Sequence, residues 1–393
     1  MRNDAVLRIM LVSSIDNFLS SAIHCSDPSY DLYIAKLASL PAFERVGTLF
    51  ESDTKFKQVN HVTILPILLR TPDRSLKSLV SPLILIRDFQ AIFRVLNRVR
   101  PNIVICFYVL DAFPLVVLKK VFGYSIHVVA VGGDINLNRR LRHRLMRRFI
   151  YLGSNGLFAF SEPLKNEMAK ECDCEVRVIP PIGTDPSFFR PMGLKVPLRE
   201  KWKIKKEDLV ILTVCSLDKN KAVDVLIRAV TLLRSYRRHE VRLLVAGEAR
   251  EEGYLASLQE LIRELGIGEN VIFLGFRSAT ELLELYNLAD IFALASYSEG
   301  YPRALLEAMA CGCVSLCTNV GDVARIVQDG YNGFILQKHS PEDIAQNIQR
   351  ITRLTLDEVR LIGDRARNVI IEKLDQRRLG KQLIKMVICS DVR

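Results

Sequence analysis

The sequence lacks an uninterrupted apolar run long enough to cross a bilayer, which takes about 20 residues. Its longest apolar stretch, Ile103 to Leu118, is interrupted by Asp111 and Pro114, and a buried strand followed by a helix explains it better. Charged and apolar side chains are mixed at the N-terminus, so no signal peptide is visible. These absences argue against a membrane-spanning or secreted protein and favour a cytoplasmic location.

Cysteine spacings typical of metal sites are also absent. The nine cysteines are an odd number, and five of them form two small clusters, Cys172 with Cys174 and Cys311 with Cys313 and Cys317. Neither cluster has the two-residue gap usual in zinc knuckles, and no histidine lies near either one. The pattern is typical of reduced, buried thiols, and we predict no bound metal.

Two ligand-binding motifs are missing as well. No Gly-x-Gly-x-x-Gly follows the N-terminal strand, which argues against a nicotinamide dehydrogenase. No Asp-x-Asp follows a strand to hold a divalent ion. We therefore expect no cofactor, and a bound phosphate would be met by a helix N-terminus and basic side chains instead.

Short apolar, β-branched runs alternate with amphipathic helical stretches over nearly all of the 393 residues. This alternation is typical of parallel βαβ units with helices on both faces of a sheet, so the predicted fold class is α/β. The predicted strands are Val6 to Val12, Val62 to Leu69, Ile103 to Val109, Ser125 to Val131, Gly156 to Phe160 and Val176 to Ile179 in the first half, and Leu209 to Val214, Arg242 to Ala246, Val271 to Leu274, Ile291 to Leu294 and Val314 to Cys317 in the second.

Prolines and glycines crowd the segment from Pro180 to Pro191, where they break both strand and helix. We place the domain boundary there, which gives a Rossmann-like domain at 1–184, a second one at 185–370 and a C-terminal helix at 371–393 that could cross back to the first domain. Two doubly wound sheets joined in this way face a cleft at the carboxyl ends of their strands, where we expect a ligand to bind.

Basic residues outnumber acidic ones and give a formal net charge of +11, which favours anionic partners. Six arginines lie between Arg139 and Arg148, in a segment with helical spacing of its apolar residues. Those apolar residues are Leu141, Leu145, Met146 and Phe149. The helix could pack this apolar stripe on the first sheet or rest on anionic lipid. Nucleic acid is disfavoured because interleaved aromatic residues and a known nucleic-acid module are lacking.

The segment from Ala295 to Gly312 carries the most functional information. It follows an apolar strand, turns through Glu-Gly-Tyr-Pro and opens a helix, and Pro302 suits the first turn of that helix. The positive N-terminal end of the helix is a ready site for phosphate oxygens. Glu299 and Glu307 are eight residues apart, so both can reach one elongated ligand. On spacing alone, a helix-capping acid and a solvated side chain explain them equally well.

This segment closely resembles the E-x7-E region of glycosyltransferase family 4, a group 1, retaining family with the GT-B fold, whose pattern reads roughly S-x-x-E-G-x-P-x-x-x-x-E-A-M-A-x-G. Other segments are similar to the family in order and approximate spacing. They are Phe160 to Lys165, Val178 to Pro191, Leu243 to Glu248, Val271 to Phe276, Leu285 to Phe292 and Gly321 to Phe334.

The resemblance implies a role for each matching residue. Glu307 would bind the ribose of a UDP or GDP sugar, and Glu299 would contact hydroxyls of the donor sugar. The implied donor-binding set is Ser216, Lys221, Gly275, Phe276, Glu299, Gly300, Tyr301, Pro302, Arg303, Ala304, Leu305 and Glu307. The implied catalytic residues are Glu299, Lys221 and Asp134, and the implied acceptor-side residues are Gly132, Gly133 and Asp134. The first domain would then bind the acceptor and the second the nucleotide sugar.

The sequence departs from the family at two points near the expected chemistry. Relatives read G-R-L-x-x-x-K-G after the first strand of the second domain, and here Lys221 is kept while Ser216 replaces the arginine. A hydroxyl binds a diphosphate less well than a guanidinium does. Gly132 stands where relatives have a histidine, and His127, at the start of an apolar strand, is expected to be a packed side chain.

The resulting prediction is a metal-independent, retaining glycosyltransferase that moves a sugar from a nucleotide diphosphate donor to a glycan or lipid-linked acceptor. It would be cytoplasmic or peripheral on the inner face of the membrane, through the Arg139 to Arg148 segment, and would not bind nucleic acid. Two alternatives stay open: a sugar-nucleotide epimerase on the same architecture, and a non-catalytic binding or scaffold subunit of a glycan-assembly complex.

Overall fold

The structure, a computed structural model, describes residues 7–13, 30–39, 57–59, 62–69, 82–131, 141–179, 183–234, 240–299 and 301–391. It divides into two compact units. The first comprises Met1–Ile182 together with Gln376–Arg393, and the second comprises Gly183–Asp375. These units end after Ile182 and Asp375, beside the predicted bounds after residues 184 and 370.

Each unit is built on one sheet. The first sheet has the order β3-β4-β2-β1-β5-β6-β7-β8, and all its pairs are parallel except β3 with β4. The second has the order β11-β10-β9-β12-β13-β14 and is parallel throughout. The strands are β1 (Leu7–Ser13), β2 (Tyr30–Ser39), β3 (Lys57–Val59), β4 (Val62–Leu69), β5 (Ile103–Phe107), β6 (Ser125–Ala130), β7 (Gly156–Ala159), β8 (Val176–Val178), β9 (Leu209–Val214), β10 (Val241–Ala246), β11 (Val271–Gly275), β12 (Ile291–Leu294), β13 (Val314–Thr318) and β14 (Phe334–Leu336).

Helices connect the parallel strands wherever the structure describes the connecting segment between them. They are α1 (Pro82–Val99), α2 (Phe113–Phe122), α3 (Leu141–Gly153), α4 (Glu162–Ala169), α5 (Lys195–Lys201), α6 (Val223–Arg234), α7 (Tyr254–Glu264), α8 (Ala279–Leu288), α9 (Arg303–Ala310), α10 (Val323–Ile326), α11 (Pro341–Thr352), α12 (Leu356–Lys373) and α13 (Gln376–Asp391). Among the described residues, no helix is both long enough and apolar enough to span a membrane.

Both faces of each sheet are covered, and the alternation of side chains along one strand shows it. In β1, Met10 and Val12 pack into one apolar cluster while Ile9 and Leu11 pack into another on the opposite face. The first strand of the second unit, β9, divides its side chains between two clusters in the same way. Each unit is therefore a doubly wound α/β domain, as the alternation of strands and helices in the sequence predicts.

The C-terminal helix α13 belongs to the first unit although it follows the second in the chain. Its apolar side chains Leu383, Ile384 and Val387 are buried in the cluster that also holds Ile9 and Leu11 of β1. These contacts fix the last helix against the first sheet.

The strand order of the second unit determines where a ligand can bind. The chain runs from β9 outward to β10 and β11, then returns to place β12 on the other side of β9. The connections after β9 and β12 therefore leave the sheet in opposite directions and open a crevice at the carboxyl ends of these two strands. In open α/β sheets this switch point is the usual binding position.

Candidate functional site

The loops that follow β9 and β12 are joined by backbone contacts at the switch point. The amide of Tyr297 donates to the carbonyl of Asn220 over 2.8 Å, and the Asn220 side chain donates to the carbonyl of Ser298 over 2.7 Å. These bonds hold the two loops in register and bring together residues that are 78 positions apart in the sequence.

Lys221 and Glu299, two of the predicted catalytic residues, form an ion pair in this position. The Lys221 ammonium donates to Oε1 of Glu299 over 2.7 Å, and the Ser296 hydroxyl donates to the same oxygen over 2.6 Å. The two charged side chains are only 18% and 10% exposed, so solvent screens their attraction weakly. The lysine charge is thus compensated by the carboxylate in this arrangement.

Two cysteines next to this pair carry no charge. Burial raises the pKa of the Cys215 thiol to about 12, and it raises the pKa of Cys317 as well, with the Glu299 carboxylate adding to the rise. No thiolate at either position therefore competes with Glu299 for the lysine.

Ser216, at the position of the family arginine, turns toward its own loop. Its hydroxyl donates to Oδ2 of Asp218 over 2.7 Å. Lys219, the other cation of this loop, is 78% exposed and lies 3.2 Å from Glu251, so it does not take the arginine's place beside Glu299. Lys221 is the loop cation that the fold directs to the switch point.

The helix α9 begins directly after Pro302, which is the residue before the first helical one and not inside the first turn as expected. No side chain caps this helix start. The first backbone amides of α9 are those of Arg303 and Ala304. The next one, that of Leu305, donates to the carbonyl of Pro302 over 3.1 Å. An uncapped N-terminus keeps N–H donors and the positive end of the helix dipole available to an anion.

Glu307 is buried and not a solvated side chain. The Tyr286 hydroxyl donates to its Oε2 over 3.0 Å, and the Arg303 guanidinium lies 3.7 Å from its Oε1. Burial raises the pKa of Glu307, and the contacts with Arg303 and Tyr286 only partly oppose this rise. Among the two glutamates of the motif, Glu307 is therefore held by α8 and α9 while Glu299 is held by the loops.

Tyr301 precedes the helix and faces inward. Burial, with a further contribution from Asp322, raises the pKa of its hydroxyl, which stays neutral. Asp322 is itself buried and contacts Arg325 over 3.3 Å. Its pKa is raised by burial, which the charge of Arg325 opposes.

Gly275 and Phe276, the predicted base-pocket residues, lie at the carboxyl end of β11. Gly275 has a φ of +66°, the left-handed region in which glycine is favoured, and its carbonyl accepts from the amide of Gly247 over 2.8 Å. The Phe276 side chain is 69% exposed. Because β11 is two strands from β9, and neighbouring strands are about 4.8 Å apart, these residues lie about 10 Å along the sheet from the Lys221 loop.

The predicted acceptor-side residues belong to the first unit. The predicted residues Gly132, Gly133 and Asp134, like Gly300 of the donor set, lie outside the described residues. His127 is fully buried in β6 with its ring 6.0 Å from that of Phe158, as expected of a packed histidine. No cluster of three potential metal-ligating side chains occurs in the part of the chain that the structure describes.

Two contacts at the site come from residues that the motifs did not indicate. The ring of His339 stacks on Tyr297 with centroids 4.0 Å apart, and its Nε2 contacts the carbonyl of Ala295. The hydroxyl of Thr318, at the end of β13, donates to the carbonyl of Ser296 over 2.8 Å. Both contacts hold the loop that carries Glu299. Neither could be found from local sequence, because His339 lies 44 residues from Ala295 and Thr318 lies 22 residues from Ser296.

Comparison with known families identifies the second unit. Residues 196–369 match the family model described as glycosyl transferases group 1. The second unit is a group 1 glycosyltransferase domain. The group 1 glycosyltransferase level of the resemblance seen in the sequence is thereby confirmed for the domain that contains Lys221, Glu299 and Glu307.

Two curated relatives that match this domain carry the same name. The D-inositol 3-phosphate glycosyltransferase of Stackebrandtia nassauensis is 34% identical over 182 residues, which is 45% of this chain and 41% of the relative. That of Corynebacterium jeikeium is 34% identical over 190 residues, 47% of this chain and 44% of the relative. The chain thus spans less than half the length of these relatives.

Solved structures extend the likeness to the whole chain at the level of fold. Sucrose-phosphate synthase from Thermosynechococcus elongatus has a TM-score of 0.77 at 16% identity, covering 97% of this chain and 98% of that one. Anabaena HepE, solved in complex with UDP-glucose, has a TM-score of 0.77 at 16% identity, covering 98% of this chain and 100% of that one. The GT-B architecture expected around the glycosyltransferase domain is confirmed.

Proposed function

We propose that the protein is a retaining, metal-independent glycosyltransferase that moves a sugar from a nucleotide diphosphate donor to a hydroxyl of a glycan or lipid-linked acceptor. The observation that carries the proposal is that three anion- and hydroxyl-binding groups come together at the switch point of a group 1 glycosyltransferase domain. There Lys221, Glu299 and the uncapped start of α9 lie on adjacent loops, at the crevice where such sheets bind ligands.

The donor is proposed to lie across the carboxyl ends of β11, β9 and β12. Glu307 would accept hydrogen bonds from the ribose hydroxyls, and Glu299 would accept them from the hydroxyls of the donor sugar. The amides at the start of α9 would donate to the diphosphate. Phe276, which is exposed and lies about 10 Å along the sheet from the Lys221 loop, would lie against the base. UDP is the first nucleotide to test, because HepE was solved with UDP-glucose; GDP is the second.

Departure of the nucleotide diphosphate would be assisted by charge already in place. When the donor binds, its sugar hydroxyls would donate hydrogen bonds to the Glu299 carboxylate. The Lys221 ammonium would then turn toward the phosphate. Together with the α9 dipole, this cation would stabilise the negative charge that develops on the leaving group without a metal ion. In a retaining reaction on the donor's own face, the leaving phosphate oxygen would take the proton of the acceptor hydroxyl.

We propose that the first unit binds the acceptor and that Gly132, Gly133 and Asp134 contact it. The names of the curated relatives support a hydroxylated acceptor. A peripheral position at the inner face of a membrane would bring a lipid-linked acceptor within reach.

Nucleotide binding and donor turnover test the proposal. UDP and GDP are titrated calorimetrically, and hydrolysis or transfer of the matching nucleotide sugars is followed with and without acceptor. Lys221→Met should lower turnover about 100-fold or more, since it removes a preorganised charge from the leaving group. Lys219→Met, which removes the same charge from the exposed neighbour, should leave turnover unchanged. If the protein bound neither nucleotide, the transferase proposal would fail.

A non-catalytic binding subunit is the second candidate. It is favoured by the compensated Lys221–Glu299 pair and by Ser216, which is engaged with Asp218 where the family has an arginine. Nucleotide binding without turnover of any donor, in the presence of candidate acceptors, would support this second function over the first.

A further inference from the structure

The helices α1, α2 and α3 of the first unit lie side by side. The rings of Phe93 in α1 and Phe122 in α2 are 5.0 Å apart, and those of Phe113 in α2 and Phe149 in α3 are 5.7 Å apart. The Lys119 ammonium of α2 also donates to the carbonyl at the end of α3 over 3.0 Å. These contacts make one continuous three-helix surface.

The basic helix α3 packs through a face that its sequence did not indicate. His143, Arg147 and Ile150 are buried, and Arg147 is paired with Glu171 of the segment after α4. Of the predicted apolar stripe, Met146 is half-buried, whereas Leu145 and Phe149 point to solvent. Of the two alternatives left open by the sequence, packing of the stripe on the sheet therefore does not hold for Leu145 and Phe149.

Large apolar side chains are exposed on all three helices. Each is between 41% and 67% exposed. They are Phe93 in α1, Val117 and Val121 in α2, and Leu145, Phe149 and Leu152 in α3. We call these six residues the apolar patch. Their spacing of three or four residues along α2 and α3 aligns them along one side of each helix.

The charged side chains that the structure describes in these three helices are all basic. Five exposed basic side chains accompany it. They are Arg94, Arg98, Lys120, Arg144 and Arg148. Among the side chains that the structure describes in these three helices, none is a carboxylate. Exposed apolar side chains beside exposed basic ones form the pattern of a surface that lies at the headgroup level of an anionic bilayer.

We propose that the apolar patch and its basic border dock the first unit on an anionic lipid bilayer. The patch would enter the boundary between headgroups and acyl chains, and the basic side chains would lie at the lipid phosphates. A second copy of this chain fits less well, because a symmetric contact would bring the same positive charges face to face. The inference does not depend on the proposed transferase activity, although docking here would bring the first unit to a lipid-linked acceptor.

Vesicle flotation of the 393-residue chain tests the proposal. The protein is mixed with phosphatidylcholine vesicles with or without phosphatidylglycerol. We expect binding only to the anionic vesicles, and weaker binding at high salt. Arg144→Gln with Arg148→Gln should lower the partition constant about 25-fold, since each basic side chain near such a surface contributes about fivefold. Replacing Leu145, Phe149 and Leu152 by Ser should abolish binding at low salt as well.

Matched controls come from the long helix α12 of the second unit. Leu356→Ser with Leu361→Ser removes two exposed apolar side chains from a helix that also carries acidic residues. Arg353→Gln with Arg360→Gln removes two exposed arginines at and just before that helix. Both controls should float like the unchanged protein, and far-UV circular dichroism and thermal melting should be the same for all variants.

Three outcomes would overturn the proposal. One is equal flotation of the unchanged protein and both α3 variants, and another is no flotation with anionic vesicles at all. The third is a dimer in sedimentation experiments that the Leu145, Phe149 and Leu152 changes dissociate, which would make the patch an interface between copies. Calorimetric UDP binding is measured on the same samples, so that failure of docking is distinguished from failure of the transferase proposal.

Discussion

Tyr286 and Glu307 provide a sharp test of the site because both are buried and one hydrogen bond joins them. The Tyr286 hydroxyl donates to Oε2 of Glu307 over 3.0 Å, and the two residues are 1% and 7% exposed. Tyr286→Phe removes this donor from a place that solvent barely reaches. Arg303 contacts the other oxygen, Oε1, and so does not replace the lost donor.

The expected loss follows from the charge of the acceptor. A hydrogen bond to a charged group contributes about 1.5 to 3 kcal/mol and a neutral one about 1 kcal/mol. We therefore expect Tyr286→Phe to lower the free energy of unfolding by about 2 kcal/mol where Glu307 is ionised. In the Glu307→Gln background, where the acceptor is neutral, the same change should cost about 1 kcal/mol.

The pH dependence has a definite sign. Burial holds the folded-state pKa of Glu307 above its ordinary value, so this residue costs stability as the pH rises through that pKa. The Tyr286 hydroxyl favours the carboxylate, and its removal raises the pKa further. The deficit of Tyr286→Phe should consequently be largest at high pH and shrink as the pH falls and Glu307 takes up a proton.

Urea unfolding from about pH 5 to about pH 8, with calorimetric UDP titration, is the assay. Tyr254→Phe is the matched control, since Tyr254 donates to Asp224 over 3.0 Å in the same unit but outside the proposed donor set. Both variants should lose stability, whereas only Tyr286→Phe should weaken UDP binding. An equal deficit at every pH and in the Glu307→Gln background would refute the pairing, and unchanged UDP affinity would show that the pair is merely structural.

Three further changes test the loops around the site. Gly275→Ala should lower the free energy of unfolding by about 1 to 2 kcal/mol, because a Cβ there meets open space but a φ of +66° is strained. Gly247→Ala should cost more in the same urea assay, on the order of 3 kcal/mol or more, since its Cβ would lie 1.7 Å from the carbonyl oxygen of Cys215. Ser216→Arg should tighten UDP binding about tenfold in calorimetry by offering a guanidinium to the diphosphate; unchanged affinity would mean that Asp218 holds the new side chain away.

The sequence predicts most strands of the fold because strands buried on both faces read as continuous apolar runs. β9 and β12 match their predicted bounds fully. Three strands escaped prediction: β2 carries Asp31 and Lys36 within its length, and β3 and β14 have only three residues each. Charged residues interrupt the apolar run of β2, and three residues are too few to set β3 and β14 apart from a loop. Only pairing with a neighbouring strand shows these segments to be extended.

The site could be predicted to the extent that one segment contains it. The spacing of Glu299 and Glu307 placed both on one turn-and-helix unit, and the family pattern added Lys221, which the fold then brings to 2.7 Å from Glu299. The partners that decide what each side chain can do come from other segments. Tyr286 and His339 belong to different helical and loop elements, so their contacts depend on packing that no local pattern records.

The environments of the two motif glutamates separate their roles. Glu299 accepts hydrogen bonds from Lys221 and Ser296, so its negative charge is compensated within the protein. A purely structural role would therefore explain the presence of this carboxylate. Glu307 is buried, and its contacts with Tyr286 and Arg303 do not offset the cost of burying its charge, because its pKa remains raised. A carboxylate that costs stability where it stands is poorly explained by packing and well explained by a ligand whose hydroxyls satisfy it. The stability of Glu307→Gln, expected to match or exceed that of the unchanged protein at neutral pH while UDP binding falls, distinguishes these explanations.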